Sequence, residues 1–216
     1  MPEDIAKEIQ HMLEEAWNTF FYDYYNKKVP EYKKSLNEKE DAKIQHWICW
    51  NEYDLMFHIG RLFCDILNKK KENKYSNVEI HFEKNVNRNN FEGYEFEDRL
   101  DELKTKLKMK KRGPKIDLII THESSKEPFL LCAEMKCFHS PSERYYKTPI
   151  EKIHEDIEKL KAIRDCKIAK SVVFMLFDDY YWYTNDETTN NIKHELERIE
   201  KDENIIVLSF RSEAKL

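Results

Sequence analysis

The chain has 216 residues, of which 37% are charged and 13% aromatic, and its formal net charge is -5. This length suits one substantial core, and the small numbers of glycine and proline indicate a globular, helix-rich protein and exclude a disordered one. The net acidity argues against binding nucleic acid over the whole surface, but it leaves room for a local basic groove. No apolar run approaches the roughly 20 residues that cross a bilayer, and the amino terminus lacks the basic and apolar parts of a signal peptide. We therefore expect a soluble, cytoplasmic protein that has no membrane partner.

The first 70 residues carry apolar side chains at helical spacing. They predict a helix from residue 3 to about 25 and a longer helix from about Glu38 to Lys70, which together form a helical hairpin. We interpret residues 1–37 as an amino-terminal helical extension and residues 38–210 as the core of a single domain.

The next segment alternates apolar and polar side chains from Val78 to Val86, which predicts a half-exposed strand. Residues 91–111 then read as a weakly amphipathic helix, with acids early and lysines late, a distribution that suits the helix dipole. Gly113 and Pro114 end this helix and begin a strand that contains Asp117. A turn at 124–128 leads to a strand that contains Glu134, so the two strands should form an antiparallel hairpin.

The last third of the chain alternates helices and strands. Thr148 and Glu151 resemble a capping box that opens a helix burying Ile153, Ile157 and Leu160. An apolar strand over 171–177, an amphipathic helix over 186–201 and a final strand over 204–210 follow. The complete order predicts an α/β or α+β sandwich with a mixed central sheet flanked by helices.

The five cysteines include no Cys-x-x-Cys pair, and several fall in apolar runs. We predict that they are reduced core residues, and this interpretation excludes a zinc site and a disulfide framework. They are Cys49, Cys64, Cys132, Cys137 and Cys166.

Charged residues stand out in the hairpin, because its strands are otherwise apolar. Glu134 and Lys136 point to one face of their strand, while Leu131, Ala133 and Met135 point to the other. The spacing of an acid two residues before a lysine occurs seven times in the chain, so the spacing itself carries little information. Only the instance at Glu134 lies in an apolar strand that has a second acid-bearing strand just upstream. Buried charges are costly unless they are paired or hold a metal, which suggests that Glu134 and Lys136 have a function.

These residue types suit the hydrolysis of a phosphodiester. That reaction requires a metal to neutralise the phosphate, an activated water and a cation that stabilises the developing charge. Mg²⁺ (or Mn²⁺) needs only one or two carboxylates, which Asp117 and Glu134 would supply from adjacent strands, with Lys136 as the cation.

The segment Pro114-Lys115-Ile116-Asp117, followed by Glu134-Met135-Lys136, resembles the restriction-endonuclease-like PD-(D/E)XK nuclease superfamily over roughly residues 40 to 180. The proline departs from the family pattern, since members often carry it immediately before the aspartate. The resemblance implies a restriction-endonuclease-like core in which Asp117 and Glu134 are metal ligands and Lys136 is the catalytic lysine. Many members add a glutamate from the preceding helix. Glu52 lies on the inward face of that predicted helix and would be an auxiliary metal ligand or base.

Two further groups are candidates for binding nucleic acid. A lysine-rich run ends just before Asp117 and contains Lys111, Arg112 and Lys115, which could follow a phosphate backbone into the site. Lys159 and His154 lie on the helix after the motif strand, where the resemblance implies a polar residue facing the site. A solvated helix end or helix face is the alternative for each group.

The sequence therefore favours a Mg²⁺-dependent nuclease that acts on nucleic acid, with DNA preferred over RNA. Its amino-terminal helices would pack on the sheet or form the surface of a homodimer. One alternative is a catalytically inactive nucleic-acid- or protein-binding module on the same fold. Another is an unrelated α/β protein in which the motif is a coincidence.

Overall fold

The computed structural model describes residues 2–23, 27, 51–70, 73–87, 94–123, 127–138, 149–178, 187–202 and 204–211. Within these residues the chain forms an α+β structure with a five-stranded mixed sheet between two helical layers. This confirms the coarse prediction of a mixed sheet flanked by helices.

The helices are α1 (Pro2–Asp23), α2 (Glu52–Lys70), α3 (Tyr94–Lys106), α4 (Pro149–Asp165) and α5 (Glu187–Asp202), with a 3-10 turn at Asn73–Tyr75. Each lies where helical periodicity predicts one. The predicted start of the second helix at Glu38 and the predicted cap Thr148 lie outside the described residues. None of the described helices is both long and apolar enough to span a membrane.

The strands are β1 (Val78–Asn85), β2 (Lys115–His122), β3 (Phe129–Phe138), β4 (Ala169–Asp178) and β5 (Ile206–Arg211). Their order in the sheet is β1-β2-β3-β4-β5, with β2 antiparallel to both β1 and β3. This confirms the predicted hairpin of β2 and β3. The pairs β3–β4 and β4–β5 are parallel, and α4 and α5 provide the crossovers that parallel neighbours require.

The sheet has a hydrophobic core on each face. On one face α1 and α2 pack against alternate residues of the central strands, and α1 itself contributes Leu13 and Trp17 to this core. On the other face α3, α4 and α5 pack against Ile119, Cys132 and Phe174. β3 is therefore covered on both sides, which explains its nearly continuous apolar sequence.

The cysteines partly follow the prediction. Cys132, Cys137 and Cys166 are buried and free, as expected. Cys64 is also free but exposed, so its assignment to the core is wrong. The helix α2 buries its neighbour Phe63, and the next position on the helix therefore turns toward solvent. Cys49 lies outside the described residues.

Candidate active site

The strands β2 and β3 stop pairing regularly at Asp117 and Glu134. Their antiparallel register runs from Ile120↔Leu131 to Leu118↔Ala133, so Asp117 and Glu134 come next on the two strands. There the backbone N–H of Met135 donates a hydrogen bond of 2.8 Å to Oδ2 of Asp117. The Asp117 carboxylate thus takes the place of a main-chain acceptor, and this holds it against β3.

The strand on the other side of β2 is also irregular at this level. Phe82 of β1 pairs with Leu118 and Lys84 with Ile116, so Glu83 lies across from Asp117. Glu83 has a φ of 53°, in the left-handed region that residues other than glycine rarely adopt within a strand. Such conformations cluster at functional sites. Asp117 thus lies where the sheet departs from regular geometry on both sides.

Glu134 is the most deeply buried charged residue of the described chain, with 1% of its surface exposed. Its Oε2 lies 2.7 Å from the Nζ of Lys159 on α4. Its Oε1 is buried and has no hydrogen-bond partner among the described residues. Burial, together with the negative charge of Asp117, raises the pKa of Glu134 well above its usual range despite the nearby lysine.

Lys136 projects from the same face of β3 and lies between two acids. Its Nζ is 2.8 Å from Oδ2 of Asp156 and 3.2 Å from Oε1 of Glu52, the first residue of α2. Burial opposes the charge on Lys136, but Asp156 and Glu52 outweigh that effect and raise its pKa above the usual range. Lys136 is therefore a fixed cation. Burial also raises the pKa of Glu52, although 41% of its side chain remains exposed.

Asp156 on α4 is the residue that sequence reasoning missed. It is 6% exposed, and its Oδ1 lies 3.1 Å from the Nζ of Lys159 while its Oδ2 contacts Lys136. A signal for it exists in the sequence, because position 156 falls on the apolar stripe formed by Ile153, Ile157 and Leu160. An acid on the buried face of a helix should have been read like an acid in a buried strand.

The structure brings all four residues of the predicted catalytic set into one cluster and adds Asp156 and Lys159. These side chains form a chain of alternating charge, in which Glu52, Lys136, Asp156, Lys159 and Glu134 follow one another and Asp117 lies beside Glu134. Four carboxylates and two ammonium groups sum to a formal charge of -2.

The predicted metal ligands do not by themselves form a ready-made metal centre. Among the described residues, no group of three or more His, Cys, Asp or Glu side chains is arranged to hold a metal ion. Glu52 pairs with Lys136, and Lys159 pairs with Glu134. The donor set at Asp117 and Glu134 nevertheless suits a hard divalent cation, because the ligands are carboxylate oxygens and the buried Oε1 of Glu134 has no hydrogen-bond partner within the described ranges.

The residues predicted to bind nucleic acid differ in their surroundings. Lys111 and Arg112 are exposed in the segment that leads into β2, and Lys115 at the start of β2 forms an ion pair with Glu83. Lys159 belongs to the cluster itself, where 22% of its side chain is exposed. His154 faces α5, and its Nε2 lies 3.6 Å from Oε1 of Glu195.

Comparison with protein-family models, with curated proteins and with solved structures finds no match to the chain.

Proposed function

We propose that the protein is a Mg²⁺-dependent (or Mn²⁺-dependent) phosphodiester hydrolase, a nuclease of PD-(D/E)XK type on a restriction-endonuclease-like core. DNA is the favoured substrate. The observation that carries the proposal is the buried Oε1 of Glu134, which has no hydrogen-bond partner in the described chain and belongs, with Asp117, to a cluster of four carboxyl and two ammonium groups. Such an oxygen is costly unless a ligand satisfies it.

The divalent cation would be held by Asp117 and Glu134, while Glu52, which pairs with Lys136, would serve as the base and not as a third ligand. When bound, it would neutralise phosphate charge and lower the pKa of a coordinated water. Two carboxylates suffice for Mg²⁺, which retains several of its own waters. The absence of a three-residue metal group among the described residues is therefore compatible with the proposal.

Lys136 supplies the positive charge that phosphoryl chemistry requires. Asp156 and Glu52 raise its pKa and so favour its charged form, in which it would stabilise negative charge on the phosphate oxygens. Glu52 is better suited to accept a proton. Burial raises its pKa toward the range in which a carboxylate can serve as a general base, and its partial exposure gives solvent access to it.

A cleavage assay with matched variants tests the proposal. Supercoiled plasmid and single-stranded DNA are incubated with the protein in Mg²⁺, in Mn²⁺ and in EDTA. We expect cleavage in either metal, none in EDTA, and a loss of about 100-fold to 1,000-fold in Lys136→Met. Asp117→Asn should abolish both cleavage and the thermal stabilisation by the cation.

The control is a double variant at the same acid-any-lysine spacing elsewhere. Glu102 and Lys104 on α3 repeat the pattern, but Glu102 pairs with Lys106 and Lys104 with Asp101, all within α3. Glu102→Gln with Lys104→Met should cleave like the parent. A double Asp117→Ala and Lys136→Ala variant that folds and still cleaves would refute the nuclease proposal.

A catalytically inactive binding module on the same fold is the second candidate. It is favoured by the Lys159–Glu134 ion pair, because an ammonium group placed 2.7 Å from the buried carboxylate partly replaces the cation that a nuclease would bind. A binding module should bind nucleic acid without cleaving it and should show no stabilisation by Mg²⁺ that depends on Asp117.

A further inference from the structure

Asp156 and Glu134 are the two charged residues that are buried within the described part of the chain. Glu134 has a role in the proposed chemistry, whereas Asp156 has none so far. Asp156 contacts both lysines of the cluster, at 2.8 Å from the Nζ of Lys136 and 3.1 Å from that of Lys159. It is the only side chain of the described cluster that touches both cations.

The two partners of Lys136 hold it unequally. Glu52 is 41% exposed and lies 3.2 Å away, so water competes with this ion pair. Asp156 is closer, and its side chain is 8% exposed. An ion pair is screened much less when water is excluded from it, so Asp156 is the main anchor of the Lys136 ammonium group.

The backbone of Asp156 is itself fixed. Ile153, Ile157 and Leu160, on the same face of α4, are each at most 1% exposed and belong to the core that packs on the sheet. A lysine has four rotatable side-chain bonds and no fixed position of its own. The packed helix therefore gives the mobile ammonium groups a rigid partner.

Lys136 would have other partners if Asp156 were absent. Asp117 already favours the charged form of Lys136, and Glu134 does the same for Lys159, so both carboxylates would attract an ammonium group released from Asp156. A lysine that moved onto these carboxylates would occupy the atoms assigned to the metal.

We propose that Asp156 is a positioning residue, which anchors Lys136 and Lys159 and so keeps Lys136 beside the scissile phosphate and away from the carboxylates of Asp117 and Glu134. The placement of Lys136 beside a scissile phosphate rests on the proposed function. The anchoring itself can be tested without any cleavage.

The first test measures lysine accessibility in the metal-free full-length protein by brief labelling with acetic anhydride and peptide mass spectrometry. Asp156→Asn should raise the labelling rate of Lys136 at least about tenfold, because the buried ion pair that holds its ammonium group is lost. Lys161, which pairs with Glu158 on the same helix, should label at an unchanged rate. Asp165→Asn, at an exposed ion pair with Arg164, is the control variant and should leave Lys136 protected.

A second variant covers the case in which Asp156→Asn does not fold, since removing one partner of a buried pair is strongly destabilising. Asp156→Asn with Lys159→Met removes one acid and one cation together, so the charge of the cluster is unchanged. It is compared with Lys159→Met alone. Labelling of Lys136 at the same rate in the two variants would overturn the proposal.

The second test separates positioning from a merely structural role. In the cleavage assay, Asp156→Asn should lower kcat about 100-fold, the effect of a small misplacement of a catalytic group, with little change in KM. In a Lys136→Met background, Asp156→Asn should not lower kcat any further, because Asp156 acts through Lys136. An equal loss in both backgrounds would contradict the proposal. If the parent protein does not cleave, the proposed function fails, and the labelling result alone then decides whether Asp156 anchors the lysines.

Discussion

The two faces of β3 carry opposite kinds of side chain over its second half. Leu131, Ala133, Met135 and Cys137 point to the layer of α1 and α2, and all of them lie in the core on that side. Glu134 and Lys136 point to α4, where they meet Asp156 and Lys159. Both faces are equally buried along most of the strand, so burial does not distinguish them. The difference indicates that the apolar face serves stability, while the charged face is retained for a function that stability alone would not select.

The largest effect should be the difference in cleavage rate between a single substitution on the charged face and one on the apolar face. Glu134→Gln removes the charge of a proposed metal ligand and should lower kcat at least about 100-fold to 1,000-fold and abolish stabilisation by Mg²⁺. Met135→Leu, at the next position but on the apolar face, nearly conserves volume and should keep both properties. Cleavage rates and thermal unfolding with and without Mg²⁺ measure the two effects. Equal responses of the two variants would contradict the functional difference between the faces.

The next effect concerns stability, and it should be large on the apolar face of β3, where the effect on cleavage is small. Met135 is fully buried, so Met135→Ala should lower the free energy of unfolding by about 2–5 kcal/mol through lost burial and the cavity left behind. Denaturant unfolding in EDTA provides the measurement. Met109→Ala, at an exposed methionine, is the control and should change the stability by less than about 0.5 kcal/mol. A loss for Met135→Ala no larger than that of the control would show that this face is not tightly packed.

A smaller effect of the opposite sign is expected for Glu134→Gln in the absence of metal. Burial and Asp117 raise the pKa of Glu134, which means that the folded state disfavours the charged form at neutral pH. The neutral glutamine avoids this cost, and Lys159 keeps Asp156 as a partner. We expect the variant to be more stable by up to about 1 kcal/mol at pH 7. The gain should shrink as the pH falls from the raised folded-state pKa and should vanish below the ordinary value of 4.5, where the unfolded parent is protonated too. A marked loss of stability at pH 7 would instead show that the Lys159–Glu134 pair stabilises the fold.

Most elements of the fold could be predicted from the sequence, because they depend on local periodicity. The helix over Pro2–Asp23, the strand over Val78–Asn85 and the β2–β3 hairpin follow from side chains that are close in sequence. The inward orientation of Glu52 was predicted from the apolar face of its helix, whereas its ion pair with Lys136 is a finding of the structure. Whether the core is restriction-endonuclease-like remains a prediction.

Asp156 shows where sequence reasoning failed. Its helix is rich in charge, and an acid in such a helix is usually solvated. The residue is buried because α4 packs on β3. Its position on the apolar stripe of the helix indicates that burial, but no local pattern encodes its contact with Lys136. Cys64 shows the reverse error, since an apolar surrounding sequence does not determine which face of α2 a residue occupies.

The smallest predicted effect tests an ion pair outside the cluster. Glu8 of α1 accepts a hydrogen bond of 2.9 Å from Lys74 and another from the hydroxyl of Tyr75, and these bonds join α1 to the 3-10 turn after α2. The hydrogen bonds from Lys74 and then Tyr75 lower the pKa of Glu8 below its ordinary value of 4.5. Because the folded-state pKa is depressed, the stabilisation is complete above the unfolded pKa and is lost as the pH falls through the folded value. Glu8→Gln should therefore reduce the stability at pH 7 by about 1 kcal/mol or less, and the difference from the parent should vanish in acid.

The control for Glu8 is Glu14→Gln on the same helix. Glu14 has almost the same exposure, but its partners Gln10 and His11 belong to α1 itself, so the substitution breaks no contact between elements. It should cost only about 0.2–0.5 kcal/mol. Denaturant unfolding from pH 7 to pH 3 compares the two. If the effect of Glu8→Gln did not depend on pH, it would come from packing around Tyr75, and the charge of Glu8 would contribute nothing. The contrast with Glu134 would then be lost, because that contrast requires one carboxylate whose ionisation stabilises the fold and one whose ionisation is tolerated at a cost.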